Sequence, residues 1–460
     1  LHLRRRPFSL ERFRRPLEAA LSETVSPLRI SDGALTATRL RWSGIEITAQ
    51  KFRLVSNDAH VWVSFAKIAF LAPLSVLLSR RGIKALAGPL PFSETTIDAL
   101  PPQAPFQALQ GVATVSEDAL RFTIAGGHWG GIAVSSGVVA LEGLEGPRPQ
   151  ADISFICTGA AMDVLGIVTT EPLELINPSV IPHGPVEGTV KAEVCLNFAF
   201  DKLPRLDHRT IADIRDLKVS NAVGNLDVTE GRFGVTVVNE TTSVNGVARL
   251  AGVATTLAYS NPADSEAEML TIDLADVGAL VASLNISGRL AGGRLHAALT
   301  RHHDGDPWSG PVEAKNVRIL QAPLLARLLT MASLPGLLST LTSDGLTIDL
   351  ARCDIMIDPV RIRCASTRLS IDRLEITGSI DLNRITGHIE GQGLLIPGAA
   401  LQRLAGKVPA LGAFLEGLGK KDSPILASRF TLSGKASDLE ITVQPMSSIA
   451  PDLLRKFGIV

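Results

Sequence analysis

Aromatic residues and cysteines are scarce in this chain of 460 residues. Phe, Trp and Tyr make up 4% of it, with a single tyrosine, and there are four cysteines. None of the cysteines stands in CxxC spacing, which argues against zinc and dithiol redox motifs. The net charge is −1 and the isoelectric point about 6.8, so nothing suggests a nucleic-acid partner.

The chain also lacks an apolar run long enough to cross a membrane. The uncharged, leucine-rich stretch at residues 328–343 contains Pro335 and Gly336. It falls short of the roughly 20 residues that a spanning helix needs. Nevertheless the mean hydropathy is +0.24 and only 20% of residues are charged. The surplus apolar surface must therefore lie in strands, either in a large core or along a cavity.

Motifs of catalysis and metal binding are missing as well. No nucleophile elbow, no phosphate-binding loop and no carboxylate pair on an apolar face is recognisable, so neither an enzyme nor a cofactor is expected. The stretch RHHDGDPW gathers His302, His303, Asp304 and Asp306. Its spacing fits no common ligand set, and Gly305-Asp306-Pro307 is typical of a turn, so a hairpin loop is predicted rather than a metal site.

What the chain does have is alternation of apolar and polar residues. Residues 190–200 and 373–382 alternate most clearly, and similar stretches follow one another with turn residues about every eight to twelve positions. This pattern predicts a mainly β fold, a long twisted antiparallel sheet curled into an apolar groove. The residues expected to line the groove are Val194, Leu196, Phe198, Leu374, Ile376, Ile380, Leu382, Ile441 and Val443.

A few short amphipathic helices are predicted to pack on the sheet or cap it. The ranges are 9–21, 68–81, 162–169, 324–341 and 399–418. The last range carries an apolar stripe formed by Leu401, Leu404, Val408, Leu411, Leu415 and Leu418. Gly391 and Gly393 are expected to break the strand before it, so that the stripe caps the end of the groove. Packing in an ordinary core and contact with a membrane or a partner are the alternatives.

The order of several motifs resembles the AsmA-like family of Gram-negative envelope proteins. In the last third the resemblance rests on LQAPLLARLLTMASLPGLLSTLTSDGLTID, on GSIDLNRITGHIEGQGLLIPGAALQRLAGKVPALGAFLEG and on FTLSGKASDLEITVQPMSSIAPDLLRKFGI. Earlier, PFSLERFRRPLEAAL and VNGVARLAGVATTLAY resemble other parts of the family. The resemblance implies an N-terminal segment at 1–110, central β-groove repeats at 111–310 and an AsmA-like C-terminal region at 311–460.

In function, the resemblance implies a lipid carrier that moves phospholipid across the periplasm between the inner and outer membranes. The implied partners are phospholipid acyl chains, a periplasmic or outer-membrane protein, and the inner membrane. Tethering there would use an N-terminal anchor that is not in this sequence. A non-catalytic assembly factor for outer-membrane proteins is the alternative, and a hydrolase of envelope glycans or lipids is a third class.

Two cysteines could bridge in an oxidising compartment. The stretch CDIMIDPVRIRC predicts a hairpin that turns at Asp358-Pro359. If Ile357 faces Val360, then Cys353 faces Cys364, and a disulfide between them is possible. Two reduced, packed thiols are the alternative.

Overall fold

The structure is a computed structural model that describes the larger part of the chain. The described residues are 8–9, 29–31, 34–41, 44–55, 61–72, 89–98, 102–115, 119–143, 150–171, 184–199, 207–223, 226–263, 267–283, 289–303, 305–321, 323–331, 345–371, 374–397, 425–435 and 438–449. The predicted helix 399–418, with all six residues of its apolar stripe, lies outside these ranges, as does Asp304.

Strands dominate the described residues, which confirms the mainly β prediction. The strands are β1 (Phe8–Ser9), β2 (Arg29–Ser31), β3 (Ala34–Arg41), β4 (Gly44–Val55), β5 (Val61–Ala72), β6 (Pro89–Ile97), β7 (Phe106–Val115), β8 (Ala119–Trp129), β9 (Ile132–Glu142), β10 (Gln150–Ala160), β11 (Val186–Ala199), β12 (Asp207–Val223), β13 (Leu226–Val238), β14 (Thr241–Leu250), β15 (Val253–Asn261), β16 (Glu268–Leu274), β17 (Arg289–Ala291), β18 (Arg294–Arg301), β19 (Trp308–Gln321), β20 (Leu346–Ile357), β21 (Arg361–Ile371), β22 (Leu374–Asn383), β23 (His388–Pro397), β24 (Ile425–Lys435) and β25 (Asp438–Ile449). The helices among the described residues are α1 (Ala161–Val168), α2 (Val277–Ser283) and α3 (Pro323–Met331).

All of these strands belong to one long antiparallel sheet that does not close on itself. From β4 to β11 and again from β18 to β25, each strand pairs with the next one along the chain. Four pairings skip one strand, namely β1 with β3, β2 with β4, β16 with β18, and β17 with β19. Antiparallel neighbours need only short turns, and this agrees with the turn residues between the alternating stretches.

The chain groups into two compact units. Unit 1 comprises Leu1–Lys218 and Arg232–Glu240, and unit 2 comprises Val219–Gly231 and Thr241–Val460. The predicted segments 1–110, 111–310 and 311–460 rest on the family resemblance and stay a prediction. Among the described residues, no helix combines the length and the apolar character that crossing a bilayer requires.

Aromatic side chains build the core of unit 1. Phe65, Phe92 and Phe122 pack with ring centroids 5.9–6.3 Å apart. A second group joins Phe106, Trp129 and Phe155 at 4.8–5.9 Å. The indole nitrogen of Trp129 donates to the carbonyl oxygen of Ala104 at 2.9 Å, which satisfies its one polar atom. These aromatic side chains therefore bury a large apolar area in unit 1.

Helix α1 confirms the helix predicted at 162–169. It ends where the buried side chain of Gln103 donates to the carbonyl oxygens of Ile167 and Thr170, both at 2.9 Å. These bonds satisfy carbonyl groups that have no partner inside the helix. Helix α2 was not predicted, although its N-cap is readable in the sequence. There the Asp276 carboxylate accepts from the backbone nitrogen of Ala279 at 2.9 Å.

The helix predicted at 68–81 is wrong over its first five residues. Ile68–Ala72 belong to strand β5 and pair with residues 45–49 of β4. The stretch VWVSFAKIAFLA is rich in β-branched and aromatic residues, and this strand-forming composition prevailed over the apolar spacing that suggested a helix. Residues 73–81 lie outside the described part, as do residues 10–21 of the first predicted helix and residues 332–341 of the fourth.

The expectation that Gly391 and Gly393 break their strand is also wrong. Strand β23 runs without interruption from His388 to Pro397 and pairs with β22 on one side and β24 on the other. Gly393 lies opposite Phe430, whose ring occupies the space that a side chain at 393 would need. The glycine therefore allows the Phe430 ring to approach the backbone of β23, and it does not end the strand.

The register predicted for the cysteine hairpin is wrong by two residues. Ile357 lies opposite Ile362, so Cys364 faces Ile355 and not Cys353. The turn includes Val360 and Arg361, whose backbone nitrogens donate to the Asp358 carboxylate. This cap at Asp358 favours the longer turn.

Both cysteines of this hairpin are nevertheless close. A bulge separates Arg352 from Ile355 in the pairing of β20 with β21. Across it the neighbouring Cys364 thiol, together with burial, raises the pKa of Cys353. Both are free thiols in the structure, and a disulfide between them stays a prediction.

Candidate functional site

Helix α3 closes one half of the apolar sheet face in unit 2. Its residues Leu325, Leu328 and Leu329 are buried against the sheet, and Val277 of α2 joins the same core. The sheet residues of this closed core are Val317, Ile319, Leu346, Ile348, Ile371, Leu374, Ile376, Leu395, Phe430 and Ile441. A helix that lays an apolar stripe on a sheet is the ordinary way to bury such a face.

The other half of the same face is not closed. Along β22, Ile376 is 8% exposed, whereas Ile380, which has the same facing four residues later, is 38% exposed. The cross-strand neighbours of Ile380 and of Leu382 are partly exposed as well. They form two rows, which together we call the open face. One row contains Ile355, Cys364, Ile380 and Leu432, and the other contains Ile357, Ile362, Leu382 and Ile389.

Some of the predicted groove residues are buried and the others are partly exposed. Leu374, Ile376 and Ile441 belong to the closed core, and Leu196 is buried in unit 1. The others are partly exposed, namely Val194 and Phe198 in unit 1 and Ile380, Leu382 and Val443 in unit 2. Alternation predicted which residues of a strand share a face. It carried no information on which part of that face is covered.

The opposite face of unit 2 carries ion pairs over most of its described strands. Arg363 and Asp381 approach to 3.2 Å across β21 and β22, and Arg352 pairs with Glu313 across β20 and β19. The register places Met356 opposite Arg363 on β20 and Asp381 opposite it on β22, so the ion pair forms with β22. Such exposed pairs contribute little stability, and they keep this face wet.

One part of this polar face is buried. Glu375 and Thr377 of β22 are 8% and 2% exposed, and Glu375 forms an ion pair with Arg368 at 2.5 Å. On the next strand Leu394 and Ile396 lie opposite them and are fully buried. The run Leu394-Leu395-Ile396 is apolar on both faces, as expected for a strand that is covered on both sides.

A polar and aromatic cluster borders the open face. Trp308 of β19 lies opposite Ile357 and so continues the second row. The Arg301 guanidinium carbon lies 4.9 Å from the centre of the Trp308 ring, and its Nε donates to Glu268 Oε2 at 2.8 Å. Tyr259 donates its hydroxyl to the same carboxylate oxygen at 3.0 Å. We call Tyr259, Glu268, Arg301 and Trp308 the rim cluster.

The rim cluster lies on the apolar side of the sheet. Glu268 shares its facing with Leu270 and Ile272, and Arg301 shares its facing with Leu299. Both charged side chains are largely buried, at 18% exposure for Arg301 and 13% for Glu268. Sequence reasoning missed this pair, although two charges at apolar positions of alternating strands were a readable signal.

The pKa of Tyr259 provides a test of the contacts in the rim cluster. Burial, followed by the hydrogen bond to Glu268, raises it from 10.0 to about 12. Because this is the only tyrosine of the chain, tyrosinate absorbance reports it alone. We expect a titration midpoint near pH 12 in the wild type and a lower one in Glu268→Gln. Tyr259→Phe, the control, should remove the transition.

The raised pKa also predicts a pH dependence of stability. The folded value lies above the unfolded value, so this contribution is complete below about pH 10 and is lost as pH rises toward about 12. The free energy of unfolding should therefore decline over that interval, and less so in Tyr259→Phe. A wild-type titration midpoint near pH 10 would show that the hydroxyl is not held as the structure places it.

The hairpin predicted around His302 is confirmed. Strands β18 and β19 pair at Thr300 and Ser309, and the turn between them is fixed by a bond from the backbone nitrogen of His303 to the Asp306 carboxylate at 3.0 Å. His302 and His303 are exposed. The described residues contain no group of three metal-ligating side chains.

Comparison of the chain with protein-family models, with curated proteins and with solved structures gave no match.

Proposed function

We propose that this chain binds phospholipid on the open face and carries it across the periplasm between the inner and outer membranes, without catalysing a reaction. The proposal places the protein in the AsmA-like family, anchored to the inner membrane, and it draws on the motifs of the last third for that assignment. The observation that carries it is the open face, an apolar surface of eight side chains left partly exposed beside a closed core.

Acyl chains suit such a surface for a simple reason. Removing apolar area from water is favourable and non-directional, so a chain of methylene groups needs only continuous apolar contact. The row from Trp308 to Ile389 crosses five strands, and four strand spacings of roughly 4.8 Å make about 19 Å. One leaflet of a bilayer has about 15 Å of hydrocarbon, so the row is long enough for one acyl chain.

The lipid content of the purified protein tests the proposal. We expect native mass spectrometry of detergent-free protein to show bound phospholipid, and extraction to recover it in a fixed ratio to protein. Leu382→Asp places a charge on the open face and should reduce the bound lipid severalfold, because an acyl chain cannot solvate a carboxylate.

Ile385→Asp is the matched control. Ile385 is 75% exposed in the turn between β22 and β23, outside the two rows of the open face. The same charge placed there should leave the lipid content unchanged. Wild-type protein that carries no phospholipid, and takes up none from vesicles, would contradict the proposed function.

A further inference from the structure

The rim cluster is an unusual arrangement for a surface that would only solvate acyl chains. A buried ion pair costs desolvation that its own attraction barely offsets, and apolar side chains of similar volume would cover the same positions at least as well. Yet Glu268 and Arg301 stand on the apolar side of the sheet, beside one end of the second row of the open face.

The contents of the cluster match two chemical groups. The guanidinium of Arg301 is suited to a phosphate, which it can contact through several N–H donors. The Glu268 carboxylate is suited to an ammonium group, and so are the two aromatic rings beside it. The ring centroids of Tyr259 and Trp308 lie 6.5 Å apart. The charges of Arg301 and Glu268 sum to zero. An anionic headgroup would pair with Arg301 alone, whereas a headgroup with a phosphate and an ammonium pairs with both side chains.

We infer that the rim cluster binds the headgroup of a zwitterionic phospholipid while one acyl chain lies along the row from Ile357 to Ile389. This inference rests on the proposed function and adds to it the position of the headgroup and its class. The phosphate contacts Arg301, and the ammonium contacts Glu268 and the two aromatic rings. The lipid then lies across the strands, with its polar end at β15, β16, β18 and β19.

The test compares two lipids with the same acyl chains. Wild-type protein is incubated with vesicles that contain equal amounts of a phosphoethanolamine lipid and a phosphoglycerol lipid, and native mass spectrometry counts each in the bound fraction. We expect the phosphoethanolamine lipid to be enriched by roughly tenfold, as one desolvated cation–π contact allows, because the phosphate is common to both lipids.

The variant Glu268→Gln/Arg301→Gln removes both charges together and leaves neither partner alone. It should still bind lipid, since acyl-chain contact does not depend on charge, and it should lose the enrichment. His302→Gln, an exposed change beside Arg301, is the matched control and should keep the enrichment. If the double variant does not fold, Trp308→Leu tests the same point, because it removes the ring that both the guanidinium and the ammonium would contact.

The outcomes separate the two proposals. Bound lipid with no headgroup preference, with a preference for the anionic lipid, or with a preference that survives in the variants would overturn the inference and leave the proposed function in place. Absence of bound lipid in the wild type would overturn both. A purely structural role of the ion pair would change the unfolding temperature of the double variant and leave the lipid ratio as it is in the wild type.

Discussion

Replacement of Ile376 by aspartate is expected to unfold unit 2. Ile376 is 8% exposed and belongs to the closed core under helix α3, so the carboxylate would be buried without a cationic partner. A buried, unpaired charge is among the few single changes that cost more than about 4 kcal/mol, which is much of the stability of an ordinary domain. Denaturant unfolding followed by circular dichroism measures the loss.

The same substitution at Ile380 is the matched control. Ile380 lies on the same strand and the same face, two side-chain positions along, and is 38% exposed. Its carboxylate would remain in water, so we expect a loss of less than about 1 kcal/mol, together with less bound phospholipid.

The two variants together decide whether the sheet has a closed and an open half. If Ile380→Asp destabilised the protein as strongly as Ile376→Asp, the open face would be part of an ordinary core. If both changes were tolerated, helix α3 would not cover the sheet as the structure shows. The predicted difference between them is at least about 3 kcal/mol.

Replacement of Gly393 by alanine is the second change with a large expected effect. A methyl group there would overlap the carbonyl oxygen of Thr377 and lie 2.5 Å from Cζ of Phe430. Neither group can withdraw easily, since Thr377 is held in the β22–β23 pairing and Phe430 is buried in the closed core. Overpacking of this kind costs about 1–3 kcal/mol, and the contact with backbone places this case at the upper end.

Gly391 provides the control on the same strand. A methyl group at Gly391 would lie 3.2 Å from the Ser379 carbonyl oxygen and 3.3 Å from a methyl carbon of Leu432, a side chain that can shift. We expect Gly391→Ala to cost less than about 1 kcal/mol. Phe430→Ala combined with Gly393→Ala should cost less than the sum of the single changes, because one of the two clashes is removed. Strict additivity would mean that the ring and the glycine do not meet.

The sequence predicted the fold class well, but it predicted the strand at Ile68 and the register of the Cys353 hairpin wrongly. Alternation identified the strands that contain Val194 and Ile380, because the facing of a side chain in a strand follows from its position alone. It failed at Ile68, where apolar spacing suggested a helix, and at the Cys353 hairpin, where the turn and a bulge shift the register. Turn length and bulges depend on a few local bonds, such as those to Asp358, that alternation does not report.

The candidate site was only half visible in the sequence. Apolar residues at alternating positions determined that unit 2 has an apolar sheet face, and the charges at Glu268 and Arg301 already stood at apolar positions. Only the tertiary structure decided that α3 covers Ile376 and leaves Ile380 partly exposed, and that Glu268 and Arg301 meet across two strands beside Trp308. The physical reason is the range of the interactions. The facing of a side chain is set by its own backbone, whereas burial and ion pairing are set by segments that lie far apart in the chain and meet only when it folds.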